Sequence, residues 1–266
     1  MKILAGYNLT VPFHWAGGKK WMAAIIAGLL PETIHRLLIP FFGRGDFLRL
    51  LRNLGIEVHA LISDINTILM ATHQGTKENP GEVVRLLLEH QALHSPEYFL
   101  RVRDSIDLNG PKAASAASFM YVMNGSYKAC LKQSKSGSHA NVSARRSVSC
   151  QPAAIYAHSI ALRNTSLFIE DFAAMIMRAR KGDFVLLDPP YLAQMGYGNI
   201  LFSKADHIRL HAGCLELHRR GACFLLTSSD DAFIRDLYKD FSIQAVEVSR
   251  GLGVKRHATE LIITNY

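Results

Sequence analysis

The chain has 266 residues, 49% of them hydrophobic, and a formal net charge of +8. That is enough apolar material for one α/β domain with a sizeable insertion, or for two small domains, and it excludes a disordered chain. No apolar run approaches the roughly 20 residues of a membrane span, and the opening MKILAGYNLTVPFHWAGGKK lacks a long apolar stretch with a cleavage site, so an intracellular protein is expected.

In chain order, Leu37-Leu38-Ile39 is a short apolar strand ending at Pro40. Phe41-Phe42-Gly43-Arg44-Gly45 follows as a turn, and Phe47 to Leu54 has a helical pattern. Val58 to Ile62 is a second strand, ending at Asp64. Strand, glycine turn, helix, strand and acid make the first half of a Rossmann-like unit. From Ile68 to Ala161 the patterns are mainly helical (Val83 to Leu93, Pro96 to Ile106, Ala113 to Met123), with a polar Ser/Lys/Gly stretch from Gly125 to Ser149. Later strands are expected at Leu167 to Ile169, Phe184 to Leu187, Cys223 to Leu226 and Glu260 to Ile263, with a helix over Ile208 to Leu217. The expected fold class is α/β: a mostly parallel Rossmann-like sheet with helices on both faces, and an inserted, mainly helical domain. Residues 1–67 and 162–266 would form the sheet domain and residues 68–161 the insertion.

The chemistry concentrates at Phe184-Val185-Leu186-Leu187-Asp188-Pro189-Pro190-Tyr191, a buried strand running into a stiff turn. Two prolines fix φ and remove two N–H donors, leaving carbonyls at the strand end, where open α/β sheets bind ligands. An aromatic amino group conjugates its lone pair into the ring and is a poor nucleophile. Two acceptors, the Asp188 carboxylate and the Pro189 carbonyl, could hold its hydrogens and favour a more tetrahedral nitrogen, and Tyr191 offers a face for an extruded base. The plain alternative is a strand followed by a proline turn. Gly43-x-Gly45 alone is an ordinary tight turn; its interest comes from Asp64, about twenty residues on, which can accept from two ribose hydroxyls or serve as a helix N-cap. His14-Trp15-Ala16-Gly17-Gly18-Lys19-Lys20 combines an aromatic, two glycines and two cations. Such a segment can wrap a zwitterionic amino acid but lacks the spacing of a P-loop.

Two further patterns narrow the choice. No acidic residue lies between Asp107 and Glu170, a stretch carrying Lys112, Lys128, Lys132, Lys135, Arg145, Arg146 and Arg163. This suits a phosphate backbone, or else a basic surface insertion. The cysteines Cys130, Cys150, Cys214 and Cys223 show neither CxxC nor Cys/His ligand spacing, so reduced thiols are expected, with no metal and no disulfide. None of the nine prolines precedes a cysteine, so the thiol nucleophile usual for cytosine ring methylation is missing, whereas amino-group methylation needs none.

Together HWAGGKKWM, PFFGRGDF, LISDIN, IEDF, FVLLDPPY, FSKADHIRL and TELIITNY, in this order and spanning nearly the whole chain, resemble the Dam-like family of N6-adenine DNA methyltransferases. The resemblance implies S-adenosylmethionine as methyl donor, S-adenosylhomocysteine as product and double-stranded DNA as substrate. It implies a catalytic set of Asp188, Pro189, Pro190 and Tyr191. It places Trp15, Gly17 and Lys19 at the methionine end of the donor, Phe42, Gly43 and Gly45 in the turn under it, Asp64 on its ribose, and Asp171 and Phe172 at its adenine, with Asp188 also close. Phe202-Ser203 and Asp206-His207 would form a flap and helix start after the catalytic strand. The insertion would recognise DNA, with Lys128, Lys132, Lys135, Asn141, Arg145 and Arg146 as its contacts. A cytoplasmic, nucleoid-associated bacterial or phage enzyme is implied, a monomer or weak dimer, with a separate cognate restriction endonuclease as a candidate partner.

The sequence departs from the family at two places. Arg44 and Asp46 stand in the glycine turn where small residues are usual; Asp46 would either cap the next helix or set a carboxylate against that of the donor. The recognition hairpin is reduced to Met123-Asn124-Gly125, Gly137 and Asn141-Val142, so no GATC specificity is carried over. The alternatives are a methyltransferase acting on RNA or a protein amide, and a catalytically inactive DNA-binding relative.

Overall fold

The computed structural model describes residues 11–126, 147–192, 202–250 and 256–266, apart from Ala16, Lys20, Ala23 and Ala24. Alternating side chains along short apolar strands build a sheet with two buried faces. The strands are β1 (Leu37–Ile39), β2 (Ala60–Asp64), β3 (Thr165–Ile169), β4 (Phe184–Leu187), β5 (Cys223–Ser229), β6 (Ser242–Arg250) and β7 (Arg256–Thr264). Their order is β3-β2-β1-β4-β5-β7-β6. The first five are parallel, and β7 joins β5 and β6 antiparallel. The expected mostly parallel α/β sheet is therefore present. Its antiparallel β6–β7 edge was not foreseen, because SIQAVEVSR alternates polar and apolar residues and reads weakly as a strand beside the continuous ELII run.

Successive residues divide between the two faces. Leu38, Leu61, Val185, Leu187, Phe224, Leu226, Leu261 and Ile263 pack with α7 (Phe172–Met177), α8 (Lys204–Arg219) and α9 (Ala232–Leu237). On the other face, Leu37, Ile39, Ala60, Ile62, Phe184, Leu186, Leu225 and Ile262 pack with α1 (Asp46–Asn53).

Between β2 and β3 the chain forms α2 (Thr67–Glu78), α3 (Pro80–Ala92), α4 (Pro96–Asp104), α5 (Lys112–Gly125) and α6 (Pro152–Ala161). These enclose a second core, including Val83, Leu87, Phe99, Phe119, Val122 and Ile155, which Phe13 joins from the amino-terminal segment. Helix α2 belongs to both bodies, packing on β2 and β3 as well as on α5. It begins from Asn66, whose side chain accepts the Leu69 N–H at 3.1 Å, so Asn66 and not Asp64 is the cap. Similarly, Asp46 is the first residue of α1, whose cap is Gly45.

A close approach of two helices within the insertion depends on Gly75. A Cβ there would sit 2.3 Å from the Lys112 carbonyl oxygen, on the backbone where α5 begins. Gly75→Ala must therefore push α2 and α5 apart. Overpacking of this kind costs about 1–3 kcal/mol, and urea unfolding should show that loss; an unchanged midpoint would contradict the close crossing.

Candidate active site

The chain leaves β1 toward β2 on one side, while β4 pairs with the other side of β1. In an open parallel sheet this reversal opens a crevice beyond the carboxyl ends of the strands. A cavity of about 240 Å³ lies there. Its wall includes Trp15, Gly17, Lys19, Phe42, Gly43, Asp64, Asp171, Phe172, Asp188 and Pro190 from the residues expected of the site. Gly45, Pro189 and Tyr191 lie outside that lining, and Lys128, Lys132, Lys135, Asn141, Arg145 and Arg146 lie outside the described residues.

The glycine turn is held from several directions. Gly43 and Gly45 have φ of +53° and +79°, in the left-handed region that favours glycine. A Cβ on Gly45 would also come within 2.7 Å of the Phe42 ring. The Gly43 N–H donates to Asp64 Oδ2 at 3.0 Å, and the Asn66 N–H donates to Oδ1 at 2.9 Å. Burial pushes the Asp64 carboxyl up, opposed by these backbone donors and the Ile65 N–H. Two carboxylate oxygens offer about four lone-pair directions, so Asp64 retains acceptor capacity toward the cavity. Trp15 covers the turn: its indole nitrogen lies 3.6 Å from where a Gly43 Cβ would stand. The segment carrying Trp15 is tied to α5, since Asn124 accepts from the His14 N–H and donates to the Pro12 carbonyl.

Arg44 and Asp46 compensate each other. Arg44 forks onto Asp46 at 3.0 and 2.6 Å and donates to the Phe13 carbonyl at 3.3 Å, while Arg49 also pairs with Asp46. Burial works against the Asp46 charge, yet the two guanidiniums hold its carboxyl below the usual range. The cluster carries one net positive charge, so Asp46 does not stand in the turn as an unpaired carboxylate.

At the other wall, Asp188 follows β4. Lys19 Nζ lies 2.7 Å from Oδ2, and the Thr227 hydroxyl donates to Oδ1 at 2.6 Å. Lys19 is only 5% exposed, also donates to the Gly17 carbonyl at 3.1 Å, and lies 5.2 Å from the Tyr191 ring centre. Burial raises the Asp188 pKa, Lys19 and Thr227 oppose this, and Glu260 adds to the rise. The Tyr191 hydroxyl donates to Glu260 Oε2 at 2.6 Å, with both residues almost fully buried. Burial, followed by the charges of Asp188 and Glu260, raises the phenol pKa and keeps that hydroxyl a donor. Tyr191 thus presents no open ring face here.

The far end is aromatic. Phe41 and Phe172 stack at 5.2 Å, and Phe202 packs against both. Asp171 caps α7 by accepting the Ala173 N–H, and both of its oxygens accept from Arg209 at 3.1 and 2.9 Å. The Arg209 guanidinium lies 4.4 Å over the Phe172 ring. Ser203 and Asp206 form a reciprocal cap at the start of α8, and His207 is buried against Phe202.

Sequence reasoning passed over Thr227, Glu260, Arg209 and Phe41. A lone acid in the apolar run ELII was the available signal for Glu260, since unpaired buried carboxylates are rare. Thr227 carries no such mark.

The amino acid and ribose of S-adenosylmethionine need cations, acceptors and a permissive turn, and its adenine needs an apolar slot with a polar end. The cavity wall holds residues of each kind: Lys19, Asp64 and the Gly43 turn, and Phe172 beside Asp171. Among the described residues, no group of three or more His, Cys, Asp or Glu could hold a metal ion, and no helix is long and apolar enough to cross a membrane.

The Tyr191–Glu260 contact is testable by itself. Tyr191→Phe should destabilise the fold by about 1–3 kcal/mol, because a buried carboxylate loses a donor. Tyr191→Phe and Glu260→Gln should be coupled by more than about 0.5 kcal/mol in a double-mutant cycle by urea unfolding; additive effects would contradict the contact.

Comparison with known proteins agrees with this geometry. The profile of the D12 class N6 adenine-specific DNA methyltransferases matches residues 15–252. A type II methyltransferase of Lactococcus lactis subsp. cremoris is 32% identical, over 97% of this chain and 96% of that protein. The DNA N-6-adenine-methyltransferase of Escherichia phage P1 is 26% identical over 91% of this chain, which spans only 33% of the phage protein. A retron DNA adenine methylase of Escherichia coli is 24% identical over 93% of this chain and 88% of its own length. The chain therefore belongs to the D12 class N6 adenine-specific DNA methyltransferases, S-adenosylmethionine-dependent enzymes acting on adenine in DNA.

Proposed function

We propose that this chain methylates adenine by extruding it from the duplex and presenting its amino nitrogen to the donor in line. The observation that carries the reading is the single cavity shared by the glycine turn, Asp64 and Asp188. When bound, S-adenosylmethionine supplies an electrophilic methyl group and leaves as S-adenosylhomocysteine. The chain's own residues position and exclude. Trp15, Gly17 and Lys19 with the Gly43 turn seat the amino-acid end, Asp64 the ribose hydroxyls, and Asp171, Phe172 and Arg209 the adenine end. Asp188 and the Pro189 carbonyl accept from the target amino group. Lys19 beside Asp188 supports this role, because a neighbouring ammonium favours the carboxylate, which is the acceptor form. Pro190 shapes the floor, and Tyr191 stacks on the base after turning out of its buried position. Holding nitrogen and methyl at reacting distance supplies most of the acceleration.

Residues 1–67 and 162–266 make up the catalytic unit in this reading, and residues 68–161 recognise the target. The basic residues Lys128, Lys132, Lys135, Arg145 and Arg146, with Asn141, contact DNA; their acid-free setting supports it. The Lactococcus relative is named as a type II methyltransferase, and on that likeness a separate restriction endonuclease is the candidate partner of a monomeric or weakly dimeric, cytoplasmic, nucleoid-associated enzyme.

Asp188→Ala should lower methyl transfer to unmodified DNA by more than ~100-fold, measured with radiolabelled donor, while DNA affinity stays within about threefold, as expected of a group aimed at the amino nitrogen rather than the phosphates. Normal turnover would overturn the assignment. Lys132→Ala should reduce the slope of log affinity against log salt by about 1; an unchanged slope removes Lys132 from the contact surface. Single-molecule mapping of the modified adenines would then give the target site.

A further inference from the structure

Two histidines that play no part in the chemistry above stand directly behind the glycine turn. His73, on α2, and His158, on α6, are both completely buried. His73 Nε2 lies 2.7 Å from the Gly43 carbonyl oxygen, and His73 Nδ1 lies 2.9 Å from His158 Nε2. Among the described residues, no partner reaches His158 Nδ1.

Hydrogen-bond logic assigns the protons. A carbonyl only accepts, so His73 Nε2 carries hydrogen. In a neutral ring Nδ1 is then the acceptor, so His158 Nε2 donates to it. The remaining nitrogen, His158 Nδ1, is a bare lone pair in an apolar wall. A proton added to the pair would leave an N–H at His158 Nδ1 without an acceptor, and it would face the Arg49 cation at His73 and the Arg44 and Arg49 cations at His158, which Asp46 only partly balances. Burial, the largest cause, holds the His73 pKa down to about 4 against the favourable Gly43 contact, and burial with the neighbouring His73, Arg49 and Arg44 also holds His158 well below the usual imidazole value. The pair is packed as well as bonded. The Phe42 and His73 ring centres lie 4.7 Å apart in an edge-to-face arrangement, and His158 Cε1 lies 3.1 Å from the Cβ position of Gly45.

We propose that His73 and His158 are positioning residues for the methyl donor: a neutral, tautomer-locked pair that fixes the Gly43 carbonyl. Asp64 already holds the N–H of the same residue, so Gly43 is clamped from both sides. The donor then meets a turn whose conformation is set before it arrives, which lowers the ordering cost of binding. Because α6 lies within the acid-free stretch, the same pair also ties that helix to the donor seat. The inference rests on the reading of the Gly43 turn as that seat.

The test is steady-state kinetics on the full chain with S-adenosylmethionine and unmodified duplex DNA. His73→Leu fills the volume but removes the donor, and should raise the KM for S-adenosylmethionine about tenfold while kcat and the KM for DNA change less than about threefold. His73→Gln places an amide N–H where Nε2 stood and should restore the KM to within about threefold. An unchanged KM in His73→Leu, or a folded His73→Gln without rescue, overturns the proposal. Should His73→Leu fail to fold, long-range proton–nitrogen NMR of the unmodified protein decides: both rings should be Nε2–H tautomers, unchanged between about pH 5 and 8. An imidazolium or an Nδ1–H tautomer at His73 would overturn it. Asp64→Ala separates the two layers of the argument. If Asp64→Ala weakens donor binding and His73→Leu does not, only the histidine role falls; if neither does, the donor seat falls as well.

Discussion

Parallel pairing of β1 with β4, in the register Leu37 to Phe184 and Leu38 to Val185, brings two distant turns into one crevice. The glycine turn follows β1 and the Asp188-Pro189-Pro190 turn follows β4, almost 150 residues later in the chain. Neither turn is a site alone. One is a backbone loop with little chemistry; the other is a carboxylate whose partner must be delivered to it. Apolar side chains on both buried faces secure that pairing, because slipping a strand by one residue would exchange the side chains that the two cores receive.

Around the crevice, buried charge is handled by local pairing. Asp46 is shared by Arg44 and Arg49, and Asp188 by Lys19 and Thr227, whereas the Asp171–Arg209 pair at the far end is exposed. Removing one member of a buried pair strands the other, which costs far more than the pair contributes to stability. These contacts are better understood as fixing geometry than as supplying stability. Lys19 is the clearest case: it arrives from the amino-terminal segment, which Asn124 ties to the helical insertion, and ends on Asp188 after β4. One side chain thus links three parts of the chain at the wall of the cavity.

The strand framework was legible in the sequence because β1 and β4 are unbroken apolar runs ended by proline, and because Asp64 stands at the expected distance from the glycine turn. The β6 strand was not, since its alternating pattern is that of an edge with one wetter face. Arg44 and Asp46 looked like departures that would harm binding; their mutual pairing appears only in three dimensions. Asp64 and Asp46 also looked like helix caps, and the neighbouring Asn66 and Gly45 take that role, a difference of one or two residues that only backbone angles resolve. His73 and His158 left no signal at all, because a buried imidazole pair depends on two helices meeting behind a turn.

The central claim is that the β1 and β4 turns together seat the methyl donor. A crystal structure of this protein with S-adenosylhomocysteine tests it most directly. The account predicts ribose hydroxyls on Asp64, the adenine against Phe172, and the sulfur facing Asp188. Ligand density elsewhere on the sheet, or ribose hydroxyls without contact to Asp64, would contradict it.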